Sequence, residues 1–426
     1  MRGCRTLSNL TDQFTTLTCL ESLTISSCSV SSLPHNFGKL PALKALVLHE
    51  LPLRHLPASF TRLVPLESVL LVGCKGMQEL PGGFGCLTAL QSLSLAWSPA
   101  LNLPEDLGGL TNLQTLCLNS IRAEQLPASF TQLASLTRLE LKLCGIAELP
   151  EGMAKIAHLQ ELSIQHCRSF REHLEFVTAL VRLEVLRIEW CHSLSSVPRR
   201  LDSLTKLTQL GLLECCRLNN APLTLPLSLQ ALSFEKNPYG ASLTPTHLRE
   251  LCLGTVGATC VEAVSAHLSA VEHLNCNGSV LLELRQLSII NWVDGLTELP
   301  AAITTLHHLT SFQLLAPNLS ILPYGLGAFS RLRRLDLSFC SSLTHLPVSL
   351  TQLSCLHELN VSYTRIRLLP AGAQLSRLRF LNLQNCKQLR ALPDDIGDLR
   401  MLQQLSPFPQ LVYRMAAYRS QVSLQP

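Results

Sequence analysis

With 426 residues and a formal net charge of only +4, the chain lacks the basic excess of a nucleic-acid-binding protein, and its acids and bases alternate along the sequence. Its 17 cysteines are odd in number and form no cysteine-rich cap, which argues against a disulfide-built scaffold. Residues 1–10 hold no unbroken apolar segment of signal-peptide length, and no run reaches the roughly 18 apolar residues of a membrane span.

The elements repeat. Leu33-Pro34, Leu56-Pro57, Leu80-Pro81, Leu103-Pro104, Leu126-Pro127 and Leu149-Pro150 recur at steps of 23 or 24 residues, and Leu299-Pro300, Leu322-Pro323, Leu346-Pro347, Leu369-Pro370 and Leu392-Pro393 resume that beat. A period in this range means a solenoid. Before the first full unit, Cys4, Leu7, Leu10, Phe14, Leu17 and Leu20 match the second half of a unit, so Met1 reads as starting inside a repeat with no polar cap upstream. Within one unit, Leu136, Leu139 and Leu141 start a short strand with one buried face. After the Leu-Pro step the apolar spacing changes to three or four, as in Leu33, Phe37, Leu40 and Leu43, which predicts a turn or two of helix opened by proline.

Strands are thereby predicted from Leu20, Leu43, Leu66, Leu90, Leu113, Leu136, Leu159, Leu183, Leu207, Leu229, Leu248, Leu284, Leu309, Leu332, Leu356 and Leu378, with weaker starts at Val271 and Leu402. Between about Pro222 and Asn291 the beat fails; Val261 to Leu268 reads as a longer helix, and the stretch is either a degenerate part of the solenoid or an island that adds a bend or a binding feature. After Leu405 the pattern stops at Pro407 and Pro409, and Gln410 to Ser420 reads as a short covering helix. The domain reading is one solenoid over residues 1–405, about 17 repeats of 23–24 residues, irregular at 222–291, followed by a cap and tail over 406–426. The chain is expected to be either the repeat portion of something larger or an N-terminally incomplete product.

A lone unit cannot stand. Six or seven buried side chains contribute about 1.5–3 kcal/mol each, against an ordering cost of about 1.5 kcal/mol per residue. Neighbours cover both flanks and pair the strands into a continuous parallel sheet.

The pattern LxxLxLxxC followed by LxxLP, seen at Leu183 to Cys191 and again at Leu332 to Cys340, resembles the leucine-rich repeat family over almost the whole chain. The resemblance implies an α/β repeat fold: a horseshoe solenoid with a parallel β-sheet on the concave face and short helices and loops on the convex one. The Cys-containing form with LPxxF is most similar to cytoplasmic repeats of plant and algal intracellular proteins, including the repeat portions of plant disease-resistance receptors. It also implies that Cys28, Cys74, Cys144, Cys167, Cys191, Cys215, Cys340 and Cys386, which share one register, point inward and satisfy loop backbone groups as thiols. The expected home is the cytoplasm.

No P-loop, GxGxxG, GxSxG or HExxH motif occurs, so neither a catalytic residue nor a cofactor is expected. Cys167 beside His166 and Cys191 beside His192 suggest zinc, but the buried register of both cysteines favours no metal. Cys215-Cys216 and His307-His308 read as one buried residue beside one exposed one.

What the repeat leaves free is the outward face of the strands. Arg138, Glu140 and Lys142, then Glu161 and Gln165 with His166, then Arg187 and Glu189 form a mixed charged strip over three units, and Trp97, Trp190, Phe339 and Tyr363 stand just before the cysteine register. These are the candidate partner-binding residues, since exposed aromatics beside arginines anchor hot spots; ordinary surface decoration is the other reading. The expected function is a non-catalytic protein-interaction module or scaffold that binds a partner protein on the concave face, acting in signal transduction. The alternatives are the ligand-sensing segment of a nucleotide-binding immune-type receptor of the plant-defence kind, or a substrate-recruiting subunit of an enzyme complex. Nucleic acid and a membrane span are not expected; the chain is read as a monomer or part of a larger chain.

Overall fold

The structure, a computed structural model, describes residues 1–4, 6–121, 123–171, 174–213, 215, 217–218, 224–235, 250–253, 284–290, 297–299, 303–304, 306–370 and 375–406. The expected helix at Val261 to Leu268, the weak strand start at Val271 and the covering helix at Gln410 to Ser420 lie outside these residues. The chain divides into two compact units, Met1–Asn219 and Asn220–Pro426.

Among the described residues the first unit holds nine strands: β1 (Ser22–Ser26), β2 (Ala45–His49), β3 (Ser68–Val72), β4 (Ser92–Ala96), β5 (Thr115–Asn119), β6 (Arg138–Lys142), β7 (Glu161–Gln165), β8 (Val185–Glu189) and β9 (Gln209–Leu213). Each begins two residues after a predicted leucine and pairs parallel with the next, in a register that sets Thr115 beside Arg138 and Arg138 beside Glu161. Strict alternation explains the strands: Leu46 and Leu48, Leu139 and Leu141, and Leu186 and Ile188 are buried while their neighbours face out.

The return segments are 3-10 turns of three to six residues, such as Phe37–Lys39, Ala58–Arg62, Phe84–Cys86 and Ala128–Gln132. Their hydrogen bonds run from residue i+3 to i: the Phe60 amide donates to Pro57 at 2.8 Å and the Leu63 amide to Phe60 at 3.1 Å. Three residues per turn line up Phe60, Leu63 and Leu66 on the buried side, which suits the apolar spacing and the short path back to the next strand. Behind the sheet, Phe37, Phe60 and Phe84 stack in series with ring centroids 6.3 and 6.0 Å apart. Units approach closely here: a side chain at Gly38 would overlap the Ser59 carbonyl, and the Gly38 amide donates to the Ser59 hydroxyl at 3.1 Å.

One residue past each of β1 to β8 the backbone turns left-handed. Ser27, Glu50, Gly73, Trp97, Ser120, Leu143, His166 and Trp190 all have φ between 51° and 70°. Most of these are side chains that ordinarily avoid that region. The conformation aims each amide at the next strand, so that Trp97 donates to Asn119 at 2.9 Å and Trp190 to Leu213 at 2.7 Å, extending the sheet ladder by one rung.

In the second unit the described strands are β10 (Ala231–Glu235), β11 (Glu250–Leu253), β12 (Gln286–Ile290), β13 (Ser311–Leu315), β14 (Arg334–Asp336), β15 (Glu358–Asn360), β16 (Phe380–Asn382) and β17 (Gln404–Ser406), again each parallel to the next. Strands β14 to β16 have three residues where β13 has five. Asp336, Asn360 and Asn382 explain this: each accepts a hydrogen bond from the backbone amide two residues on, at 2.9, 3.1 and 3.0 Å, and the Asx turn ends the extended run.

Candidate functional site

The strip foreseen in the sequence is assembled on β6 to β8, on the outward face of the first unit. Register places Arg138 beside Glu161 and Val185, Glu140 beside Ser163 and Arg187, and Lys142 beside Gln165 and Glu189. The charges answer one another. Glu161, only 18% exposed, receives Arg138 at 3.1 Å from one side and Arg187 at 3.3 Å from the other. Arg138 also lies 3.6 Å from Glu140, Arg187 donates to Gln209 at 2.7 Å, and Gln165 donates to Glu189 at 3.0 Å. Partial burial pushes the Glu189 carboxyl above its ordinary range, and Arg187 and Lys142 pull it back. By contrast β2 to β5 present no Asp, Glu, Lys or Arg on this face.

At the rim the left-handed row carries the aromatics. The His166 imidazole stacks on Trp190 with centroids 5.2 Å apart and planes 12° from parallel, and His192 meets Trp190 edge-on at 6.2 Å. Burial, then Lys142, Arg168 and His192, holds His166 below the usual histidine value. Trp97, on the same row, is 54% exposed, and four units separate it from Trp190, about 19 Å at the strand spacing. Sequence reasoning missed Leu143, which is 43% exposed on this row between them.

Phe339 and Tyr363 belong to the second unit, where they occupy the same left-handed position with φ of 62° and 58° and stack face to face at 4.5 Å. They are 39% and 41% exposed. So the twelve candidates fall into one cluster of nine on β6 to β8 and its rim, Trp97 apart from it, and an aromatic pair in the other unit.

The eight register cysteines are buried free thiols. Cys191 lies 3.6 Å from the Ile164 carbonyl, Cys215 3.5 Å from Ile188 and Cys340 3.2 Å from Leu314, each the strand of the preceding unit. Burial pushes Cys74 and Cys340 up to about 11 and Cys191 to about 12, while the hydrogen bond between Cys167 and Cys144, with burial second, holds Cys167 above the ordinary thiol range. Among the described residues no group of three His, Cys, Asp or Glu could hold a metal ion. Cys216 lies outside the described residues. The His307-His308 reading is corrected: neither histidine is buried, because both stand between the buried Leu306 and Leu309, and His308 pairs with Arg331 at 3.0 Å while His307 reaches the Ala328 carbonyl. No helix of the described residues is long and apolar enough to cross a membrane.

Residues 92–277 match the family model of a leucine-rich repeat region. No curated protein matches the chain in sequence. Among solved structures, a leucine-rich repeat protein of Leptospira interrogans is 22% identical over 88% of this chain and 93% of its own, with a TM-score of 0.61. A TLR13–ssRNA13 complex is 20% identical over 92% of this chain and 58% of that one, with a TM-score of 0.55. The functional domain of InlJ from Listeria monocytogenes, which includes a cysteine ladder, is 20% identical over 76% of this chain and 64% of its own, with a TM-score of 0.50. At these identities the likeness is one of fold. Repeats of this spacing, with a parallel strand in each, run through both units, so residues 92–277 form a leucine-rich repeat region and the chain has the fold of leucine-rich repeat proteins.

Proposed function

We propose that the chain is a non-catalytic protein-interaction module or scaffold that holds a partner protein on the sheet face of its first unit, around Arg138 to Trp190. The observation that carries this reading is the way Arg138, Glu161, Arg187, Gln165 and Glu189 fix one another on a regular sheet. Side chains already held lose little freedom when a partner arrives, and a charge pattern of fixed geometry selects its complement. Area supports it too. Nine strands of five residues offer a face about 38 Å by 16 Å, on the order of 600 Å² before the rim is added, against roughly 800 Å² per partner in a standard interface.

The polar centre and the aromatic rim divide the work. Trp190, backed by His166, offers the large apolar contact, and the ion-pair network sets orientation. Reduced thiols at eight register positions support a reducing compartment such as the cytoplasm. Trp190→Ala combined with Arg187→Glu tests the placement: affinity capture of native partners should fall at least tenfold, and capture of every partner at wild-type level would overturn it.

A further inference from the structure

In the second unit positive charge and exposed apolar side chains gather on one flank, away from the sheet face. Between Leu337 and Pro393 the chain has six basic residues, Arg365, Arg367, Arg377, Arg379, Lys387 and Arg390, against the single acid Glu358, so this stretch alone exceeds the whole chain's net charge of +4. Glu358 is already paired with Arg334 at 2.9 Å. Four of the six basic residues lie between a strand and the Leu-Pro step that follows it: Arg365 and Arg367 after β15, Lys387 and Arg390 after β16, all exposed. Among the described residues no salt bridge reaches Arg365, Arg367 or Lys387. Backbone pairing lines these segments up. The Arg367 amide donates to the Thr344 carbonyl at 3.1 Å and the Arg390 amide to that of Arg367 at 3.0 Å, while single bridges join Glu298 to Ile321 and Leu368 to Ala391. Successive units therefore present equivalent residues in rows, about 4.8 Å apart. The apolar residues break the repeat's own rule. In the first unit the residue before each Leu-Pro step is polar, Ser32, His55, Glu79, Asn102, Gln125 and Glu148 in turn, whereas Ile321 and Leu368 hold that place in the second and are more than half exposed. Just past the step, as the first residues of their turns, Tyr324 and Val348 are 86% and 77% exposed, more than any other large apolar side chain among the described residues.

We propose that this flank docks on the surface of a membrane that carries anionic phospholipids, with Arg365, Arg367, Lys387 and Arg390 among the headgroup phosphates and Ile321, Tyr324, Val348 and Leu368 in the interface. Charge and exposure select that occupant. A second copy related by a two-fold axis would set the flank against itself, like charge facing like. A nucleic acid answers the arginines, but Ile321, Val348 and Leu368 have no ring face on which a base could stack. An acidic protein answers them too, yet it must supply a fitted pocket for each protruding side chain, and a fluid interface receives all four without one. Tyr324, an apolar ring with a polar tip, is the kind of side chain that settles at headgroup level.

The flank shares no residue with the partner site on β6 to β8, so either reading can fail alone. The full chain is sedimented with vesicles of phosphatidylcholine alone and with vesicles of phosphatidylcholine and phosphatidylserine, and it should pellet with the second kind only. Each basic residue near an anionic surface contributes roughly fivefold to partitioning, so Arg365→Gln with Arg367→Gln should weaken it at least tenfold. Tyr324→Ser with Val348→Ser should do the same by removing the apolar contact. Both variants should keep the wild-type thermal midpoint, because all four side chains are exposed. Trp190→Ala with Arg187→Glu should bind vesicles as wild type does. No binding to the phosphatidylserine vesicles, equal binding to both kinds, or wild-type binding by either flank variant would overturn the proposal. If vesicle binding is absent and polyglutamate or oligouridylate binds instead, with loss in the Arg365 and Arg367 variant, the occupant is an acidic protein or a nucleic acid and the membrane assignment is wrong.

Discussion

Phe60→Ala removes the middle ring of the stack that runs behind the first sheet. Phe60 has no exposed surface and lies between Phe37 at 6.3 Å and Phe84 at 6.0 Å. Truncating a buried phenylalanine costs about 3–5 kcal/mol, part of which is the two aromatic contacts, at about 0.5–1.5 kcal/mol each. Phe60→Leu keeps most of the volume, and Leu107 already fills the equivalent place fully buried. That variant should lose the aromatic contacts and little else, about 1–2.5 kcal/mol. Urea unfolding followed by tryptophan fluorescence in a Trp292→Phe background reads the first unit, because Trp97 and Trp190 lie in it and Trp292 lies in the second. With a slope of about 2–3 kcal/mol/M, the alanine variant should unfold about 1–2 M earlier than wild type. A cost below about 1.5 kcal/mol for alanine, or equal costs for alanine and leucine, would refute the idea that a continuous packed spine couples the units.

Other outcomes follow from the same geometry. In the native protein an aromatic disulfide reagent should modify the exposed Cys4, Cys19 and Cys86 quickly and leave Cys74, Cys144, Cys167, Cys191, Cys215, Cys340 and Cys386 protected until urea is added. Since burial raises Cys74, Cys191 and Cys340 above the ordinary thiol value of 9.0, their contribution to stability should be constant below about pH 9 and fall as pH rises towards 11 and 12, as the unfolded state sheds protons that the folded state keeps; stability rising over that window would contradict the burial. Glu161→Gln should cost about 1 kcal/mol at low salt, from two half-exposed ion pairs, and much less in 1 M salt, where a salt-independent cost would show that packing dominates. His166 should titrate below the ordinary value of 6.5, seen as quenching of Trp190 on acidification that His166→Asn removes.

The strand starts were readable because leucine spacing alone dictates them: β1 to β17 each follow a predicted leucine, the weakly marked Leu402 included. Cysteine burial was readable for the same reason, as Cys167 and Cys191 hold a fixed offset from those leucines. The spacing of Arg138, Glu140 and Glu161 placed them on one face, yet it could not show that they neutralise one another, since their ion pairs join residues 23 to 26 positions apart through rotamers that sequence does not encode. Nor did the pattern reveal the Asx turns at Asp336, Asn360 and Asn382. An Asp or Asn at the middle outward position looks like any polar surface residue until its carbonyl oxygen is seen on the backbone amide two residues on.

The central claim is that the sheet face of the first unit meets the partner, and site-specific photo-cross-linking tests it most directly. A benzophenone amino acid replaces Val185, which faces outward on β8, or Lys155, which is exposed in the turn Met153–Lys155 on the opposite side. With native extract, the account predicts a discrete cross-linked partner band from position 185 and none from position 155. The same band from both positions, or from position 155 alone, would contradict it.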